Sequence, residues 1–102
     1  MKELKDKVIL ITGGTAGIGL ACVQAYVAAG ACVAVIGLEE DTVIETMKLI
    51  GDDHLGFCCD VSKDKDMREC VEKTITRFGR LDAIHNNAGL GSPAKPLHTT
   101  TD

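Results

Sequence analysis

The sequence predicts an α/β protein with a doubly wound parallel sheet. Short apolar runs alternate with helix-length segments from Val8 almost to the end of the 102 residues. The first run is unbroken, as expected for a strand that is buried on both faces. Alternation at this spacing indicates parallel strands joined by right-handed crossover helices. Nothing suggests an internal domain boundary, so we expect a single domain over residues 1–102.

Seven elements follow from hydrophobic period and glycine placement. Strands are expected at residues 8–11, 32–36, 55–59 and 81–85, and helices at residues 18–29, 40–49 and 65–78. Gln24 is the only strongly polar residue of the first helix, which predicts that this helix is nearly buried. Gly30 and Gly51 stand where the first two helices should end.

The third helix is expected to be amphipathic. Its apolar stripe consists of Met67, Cys70, Val71, Ile75 and Phe78, with charged residues opposite. Ser62 or Asp64 is the expected cap of its N-terminus. The segment 90–102 is polar and has no period.

Composition excludes several classes of function. The formal net charge is −4, and the aromatic residues number three, without a basic block. A nucleic-acid ligand is therefore not expected. No apolar run approaches the roughly 18 residues that cross a bilayer. The charged N-terminus lacks the features of a signal peptide, so we expect a cytoplasmic protein without membrane partners.

Cysteines and histidines give no metal signature. The five cysteines are Cys22, Cys32, Cys58, Cys59 and Cys70, and the three histidines are His54, His85 and His98. None of them has metal-ligand spacing, so no metal is expected. We interpret the cysteines as small buried hydrophobic residues. Cys58 and Cys59 are adjacent on a predicted strand and should therefore point to opposite faces.

A glycine-rich segment lies between the first strand and the first helix, at residues 12–19. Phosphate binding needs backbone N–H groups, a helix N-terminus and the absence of nearby Cβ atoms, and this segment supplies all three. Gly13 permits a sharp exit from the strand, Gly17 a close approach of pyrophosphate, and Gly19 close packing of helix on sheet. The alternative is a turn with packing roles only. The spacing G-x-x-x-G-x-G matches neither G-x-G-x-x-G nor a P-loop.

Three ordered motifs identify a resemblance over essentially the whole chain. They are Thr12-Gly13-x-x-x-Gly17-Ile18-Gly19, Asp60-Val61 and Asn86-Asn87-Ala88-Gly89, with Gly79-Arg80-Leu81-Asp82 before the last strand. The sequence resembles the classical branch of the short-chain dehydrogenase/reductase family. That resemblance implies a Rossmann-type fold, of which this chain supplies the first four strands and three helices and ends before the catalytic half.

The same resemblance implies roles in dinucleotide binding. It places the pyrophosphate and the adjoining ribose in the loop that contains Gly13 and Gly19, against Thr15, Ala16, Gly17 and Ile18. It places the adenine against Asp60 and Val61. The nicotinamide-side ribose is placed against Asn87, Ala88 and Gly89. Asp60 can also be interpreted as a plain helix cap. Asn86 and Asn87 can equally tie neighbouring loops to the sheet, and the two roles are compatible.

The residues that select the cofactor depart from the family pattern. Gly37 stands where NAD-preferring members usually carry an acidic residue. Leu38 and Ala16 stand where NADP-preferring members often carry basic residues. Glu39 and Glu40 would repel a 2′-phosphate, which slightly favours NAD(H) over NADP(H). These carboxylates are equally well explained as solvated charges at a helix start.

No catalytic residue is expected within this chain. Tyr26 is the only tyrosine, and Gly30 stands four residues later, so it cannot belong to the family's Tyr-x-x-x-Lys pair. Ser62 and Ser92 lie outside the position of the catalytic serine. His85 replaces a usual aliphatic residue. We interpret it as a hydrogen-bonded core histidine, with a functional role as the alternative.

The expected function is that of an NAD(P)-dependent oxidoreductase. The resemblance implies hydride transfer between the nicotinamide and a small alcohol or ketone, with this chain as the cofactor-binding half. We expect the chain alone to be inactive and the full-length protein to be a homo-oligomer. The alternatives are a non-catalytic dinucleotide-binding module and a structural subunit that pairs with a longer homologue. A downstream Tyr-x-x-x-Lys would favour the enzyme.

Overall fold

A computed structural model describes residues 3–87. The elements are β1 (Val8–Thr12), α1 (Gly17–Ala28), β2 (Cys32–Gly37), α2 (Glu40–Ile50), β3 (Leu55–Cys58), α3 (Asp64–Phe78) and β4 (Ala83–Asn86). All strand pairs are parallel, and the strand order is β3-β2-β1-β4. The predicted doubly wound fold is confirmed, with element ends shifted by at most two residues. Within residues 3–87, no helix is long and apolar enough to cross a membrane.

The core lies on both faces of β1 and β2, because alternate residues of a strand point to opposite faces. Ile11, Val33 and Val35 pack on one face against Val23 of α1. The other face packs against α3, with Leu10, Ala34 and Ile36 around Cys70. Burial on two sides explains why the two central strands are continuous apolar runs.

Helix α1 is less buried than its sequence predicts. Only Gly19 and Val23 are buried, and Ile18 is 68% exposed. The prediction that this helix is nearly buried was therefore wrong within residues 3–87. The helix packs one face on the sheet, and no residue in 3–87 covers its outer face, where small residues such as Ala21 and Ala25 lie exposed.

Helix α3 differs from its prediction at two points. Its inward residues include Thr74, whose Oγ1 donates to the Cys70 carbonyl at 2.7 Å, whereas Ile75 is 44% exposed. The predicted cap was also wrong, because Lys63 is the N-cap residue and no side chain caps the helix. Ser62 bonds instead to the Asp60 carboxylate, so its hydroxyl is already committed.

His54 supports the sheet from the turn before β3. Its Nδ1 accepts a hydrogen bond from the backbone N–H of Val33 at 3.1 Å, and both residues are buried. Burial is the main cause that lowers the pKa of His54 below its ordinary value of 6.5, and the charge of Asp53 partly opposes this. Only the neutral ring can accept this bond.

We expect the free energy of unfolding to fall as the pH falls below 6.5. Because the folded-state pKa of His54 is lowered, its contribution is complete above the unfolded-state pKa and is lost as pH falls through the folded-state value. The slope should approach about 1.4 kcal/mol per pH unit at most. Chemical denaturation at pH 7.5 and pH 5 measures it. His54→Asn keeps an acceptor without a titrating ring and should flatten the dependence; an equal slope in this variant would contradict the assignment.

Candidate functional site

A cavity of about 540 Å³, which we call the main cavity, opens at the carboxyl edge of β1, β2 and β3. Of the residues expected at a site, the cavity is lined by Gly13, Thr15, Ala16, Leu38, Asp60 and Val61. Six further lining residues are Ile36, Gly37, Glu39, Thr42, Cys59 and Ser62. Open α/β sheets bind ligands beyond the carboxyl ends of their strands.

The glycine-rich loop leaves β1 through a backbone conformation that favours glycine. Gly13 has φ 68°, and the N–H groups of Gly13 and Gly14 both donate to the Ile36 carbonyl, at 2.9 and 3.3 Å. These bonds anchor the loop over the end of β2. The segment thus turns sharply at Gly13, as its sequence predicts.

Helix α1 begins at this loop with an unusually bare N-terminus. Its N-cap is Ala16, no side chain caps it, and its first turn holds no acidic residue. Helix N-termini carry unpaired N–H donors and a partial positive charge. Because Ala16 also lines the cavity, the loop presents a feature that suits an anion such as phosphate.

The other loop residues occupy different places. Gly17 and Ile18 do not line the cavity, and the Ile18 side chain projects outward. Gly19 is buried against the loop: a Cβ atom there would meet the Gly13 carbonyl oxygen and lie 2.7 Å from Asn87 Nδ2. Gly19 therefore permits the first turn of α1 to pack against the loop that precedes it.

Gly37 ends β2 at the position where the family resemblance implies a residue that selects the cofactor. A side chain there would require its neighbours to move. A Cβ on Gly37 would lie 2.6 Å from Thr15 Cγ2 and 3.0 Å from Val43 Cγ2. Leu38 is 72% exposed at the cavity edge. Glu39 lines the cavity, whereas Glu40 lines a separate crevice beside α2. Only one of the two expected carboxylates is therefore at the cavity.

Asp60 faces the glycine loop from the end of β3. Its Oδ1 accepts hydrogen bonds from the Ser62 N–H at 3.0 Å and the Ser62 hydroxyl at 2.7 Å. These bonds lower the pKa of Asp60, so the carboxylate is ionised at neutral pH. Asp60 is not the helix cap that was the alternative, because Lys63 is the N-cap of α3 and no side chain caps that helix. Its carboxylate stays at the cavity wall.

Asn86, which ends β4, and Asn87, which follows it, tie that strand to β1. Thr12 Oγ1 donates to Asn86 Oδ1 at 2.9 Å and accepts from the Asn87 N–H at 3.0 Å. Asn87 Nδ2 donates to the Gly13 carbonyl at 3.2 Å. Asn87 Oδ1 is buried and has no hydrogen-bond partner among residues 3–87. Ala88 and Gly89, which were expected beside Asn87, lie outside the described residues.

Thr12 is the central residue of this network, and motif reasoning assigned it no separate role. A polar residue closing an otherwise apolar strand was the available signal. Its hydroxyl serves two asparagines and thereby couples β1, β4 and the glycine loop.

His85 and Tyr26 form a pair away from the cavity. Tyr26 Oη lies 2.6 Å from His85 Nδ1, and the rings meet edge to face with centroids 5.8 Å apart. Burial raises the pKa of Tyr26 above its ordinary value. Neither residue lines the main cavity, and His85 is hydrogen-bonded as predicted but only partly buried.

Comparison with known proteins gives a consistent result. A protein-family model described as short chain dehydrogenase matches residues 7–102. The 2,5-dichloro-2,5-cyclohexadiene-1,4-diol dehydrogenase of Sphingobium indicum is 36% identical over 95% of this chain and 39% of its own length. The L-fucose dehydrogenase of Bos taurus is 44% identical over 85% of this chain and 32% of its own.

A solved structure agrees in fold and sequence. The 3-ketoacyl-(acyl-carrier-protein) reductase from Brucella melitensis, complexed with NADH, has a TM-score of 0.74 and 32% identity, covering 78% of this chain and 32% of the reductase. This chain thus spans about a third of the length of these relatives. The fold, the glycine loop and the family match all agree: the chain belongs to the short chain dehydrogenase family.

Proposed function

We propose that the protein is an NAD(P)-dependent oxidoreductase, and that this chain forms its dinucleotide-binding half. The observation that carries the proposal is the cavity between the uncapped N-terminus of α1 and the ionised Asp60. An anionic pyrophosphate fits the N-terminus of α1, and a nucleobase with an amino donor fits the Asp60 carboxylate. Named relatives are dehydrogenases, and one solved neighbour is complexed with NADH.

The lining residues suggest an orientation for the dinucleotide. The pyrophosphate lies over Thr15 and Ala16, while the adenine lies between Asp60 and Val61. This leaves Leu38 beside the adenosine ribose. The nicotinamide half runs toward the end of β4. There Oδ1 of Asn87, which has no hydrogen-bond partner among residues 3–87, offers an acceptor. Gly17, Ile18 and Gly19 contribute through the backbone of α1 and its packing, together with Gly13.

The bound cofactor supplies hydride transfer to or from an alcohol or carbonyl carbon. The residues of this chain bind and orient the cofactor, and none of those described is assigned as the proton donor. Tyr26, the only tyrosine, bonds to His85 and does not line the cavity. The proton donor that such a reaction needs must reach the substrate oxygen from elsewhere in the complete protein.

Direct titration tests the proposal. The complete protein is titrated with NADH and NADPH while cofactor fluorescence is recorded, since residues 1–102 contain no tryptophan to report binding. Saturable binding of at least one cofactor, followed by its oxidation with a panel of ketones, is the expected result. If the folded protein binds neither cofactor, the proposal is overturned.

We expect NADH to bind more tightly than NADPH by about 1 kcal/mol, a roughly fivefold difference in Kd. Glu39 at the cavity disfavours the 2′-phosphate, and no basic residue lines the described cavity. Leu38→Arg should shift the preference toward NADPH, because a guanidinium can pair with phosphate in a bidentate way.

Leu49→Arg is the matched control. Leu49 is also exposed, at 62%, and lies on α2 outside the cavity. The substitution therefore adds the same charge but should leave the cofactor preference unchanged. Tighter binding of NADPH to the unmodified protein, or an equal shift in both variants, would refute this account of cofactor choice.

A further inference from the structure

Two cysteines that are 11 residues apart in sequence meet beside the main cavity. Cys59 follows β3 and Cys70 lies in α3, and their Sγ atoms are 3.2 Å apart. Both are free thiols. A disulfide has an S–S length of about 2.05 Å, so the sulfur atoms need to approach by only about 1 Å. Side-chain adjustment of this size does not require a new fold.

The thiol pair is accessible from outside the main cavity. A separate open crevice of about 260 Å³ lies between β3 and α3. Both cysteines line it, together with Phe57, Cys58, Asp66, Glu69 and Lys73. Cys70 is 4% exposed, whereas Cys59 is partly exposed. Of the pair, Cys59 is therefore the thiol that a small reagent meets first, and the exposed Cys58 lines the same crevice.

We propose that Cys59 and Cys70 are a modification site. The two residues form a reversible disulfide with each other, by exchange with a low-molecular-weight disulfide such as oxidised glutathione. The interpretation of the five cysteines as buried hydrophobic residues was wrong for four of them, since Cys70 alone is buried and Cys58 is exposed. The juxtaposition of Cys59 and Cys70 gives them a chemistry that their spacing in the chain, which is not C-x-x-C, does not indicate.

The reaction has two exchange steps. The Cys59 thiolate attacks one sulfur of oxidised glutathione, forming a mixed disulfide and releasing one glutathione thiolate. Cys70 then attacks Sγ of Cys59 and releases the second glutathione. The protein loses two hydrogen atoms as two thiols become a disulfide, and one glutathione disulfide is reduced to two thiols that take up the two protons.

The order of the steps follows from the environment of Cys70. Burial, and then the contacts with Cys59, raise the pKa of Cys70 to about 12, so this thiol stays protonated and is a poor first nucleophile. Once Cys59 is in the mixed disulfide, its charge no longer opposes ionisation of Cys70. Closure should therefore accelerate with rising pH.

Cys59 also connects this site to the cofactor cavity. Its N–H donates to the Gly37 carbonyl at 3.0 Å, and it lines the main cavity immediately before Asp60. Closing the disulfide ties Cys59 to α3, so the adjoining Asp60 should shift slightly at the cavity wall. This consequence, unlike the disulfide itself, rests on the proposed function.

Peptide mapping of the complete protein tests the disulfide. Reduced protein is incubated with oxidised glutathione, the remaining thiols are alkylated, and tryptic peptides are analysed by mass spectrometry. Cleavage places Cys59 in peptide 49–63 and Cys70 in peptide 69–73. We expect these peptides to be cross-linked, with loss of two hydrogen atoms and reversal by dithiothreitol.

The neighbouring Cys58 provides the matched control, because it lies in the same peptide and is exposed. The cross-link should persist in Cys58→Ser and disappear in Cys59→Ser. Loss of the cross-link in Cys58→Ser, or glutathione adducts without any cross-link, would overturn the proposal. This comparison needs no substitution at the buried Cys70.

Titration of the oxidised and reduced forms with NADH tests the coupling. We expect Kd to rise about fivefold on oxidation, the lower end of common coupling between sites. Equal affinities would overturn the coupling. If the reduced protein binds neither NADH nor NADPH, the proposed function is wrong. The disulfide is tested separately, by the peptide mapping.

Discussion

Gly19→Ala should reduce NADH affinity at least about 100-fold, or about 2.7 kcal/mol. The added Cβ would meet the Gly13 carbonyl oxygen, lie 2.9 Å from the Gly13 carbonyl carbon and 2.7 Å from Asn87 Nδ2. The backbone of the loop must therefore move away from α1, and it carries the proposed pyrophosphate site with it. Fluorescence titration of the complete protein measures the loss, and circular dichroism establishes that the variant is folded.

Gly51→Ala is the control for the cost of losing a glycine. Gly51 has φ 96° and ends α2, and a Cβ there meets nothing within 4 Å. With ψ 176°, Gly51 lies in an extended positive-φ region that is essentially limited to glycine, so the substitution strains the backbone by about 1–3 kcal/mol. This lowers stability but leaves the loop in place. If Gly19→Ala binds NADH as tightly as Gly51→Ala does, the glycine loop is not the phosphate site.

Sequence predicts most of this fold because the decisive signals are local. An apolar run such as residues 8–11, with a glycine turn after it, specifies a buried strand without reference to the rest of the chain. Burial of α1 is not local. Its apolar composition leaves open which neighbours cover it, and in residues 3–87 only one face is covered.

The candidate site shows the same division. The positions of Thr15, Ala16 and Asp60 at one edge of the sheet follow from the strand order, since parallel strands end together. Hydrogen-bond partners cannot be assigned in this way. Ser62 can cap α3 or bond to Asp60, and both are short local arrangements, so only the folded geometry decides between them.

The Thr12 network was even less accessible to sequence analysis, because Asn86 is 74 residues away in the chain. The contact depends on β1 and β4 being neighbours in register, with Thr12 opposite Asn86. A motif indicates that the residues belong together but not which atoms meet. The arrangement predicts that a single hydroxyl group fixes the end of β4 against the glycine loop.

Thr12→Val should lower the free energy of unfolding by about 1–3 kcal/mol. Valine matches the shape of threonine, but it can neither donate to Asn86 Oδ1 nor accept from the Asn87 N–H, so two polar groups lose this partner beside a position that is 1% exposed. NADH affinity should fall as well, because Asn87 also holds the Gly13 carbonyl. Chemical denaturation and titration of the complete protein measure the two effects.

Thr74→Val separates the loss of this network from the loss of any buried hydroxyl group. Thr74 is fully buried in α3, and its Oγ1 bonds only locally, to the Cys70 carbonyl one turn earlier. That carbonyl retains its helical hydrogen bond, so the substitution should cost less than about 1 kcal/mol and leave NADH affinity unchanged. Thr12→Ser keeps the hydroxyl group and should restore most of the affinity lost in Thr12→Val. Equal destabilisation by Thr12→Val and Thr74→Val would mean that the end of β4 is held by packing, and not by the Thr12 hydroxyl group.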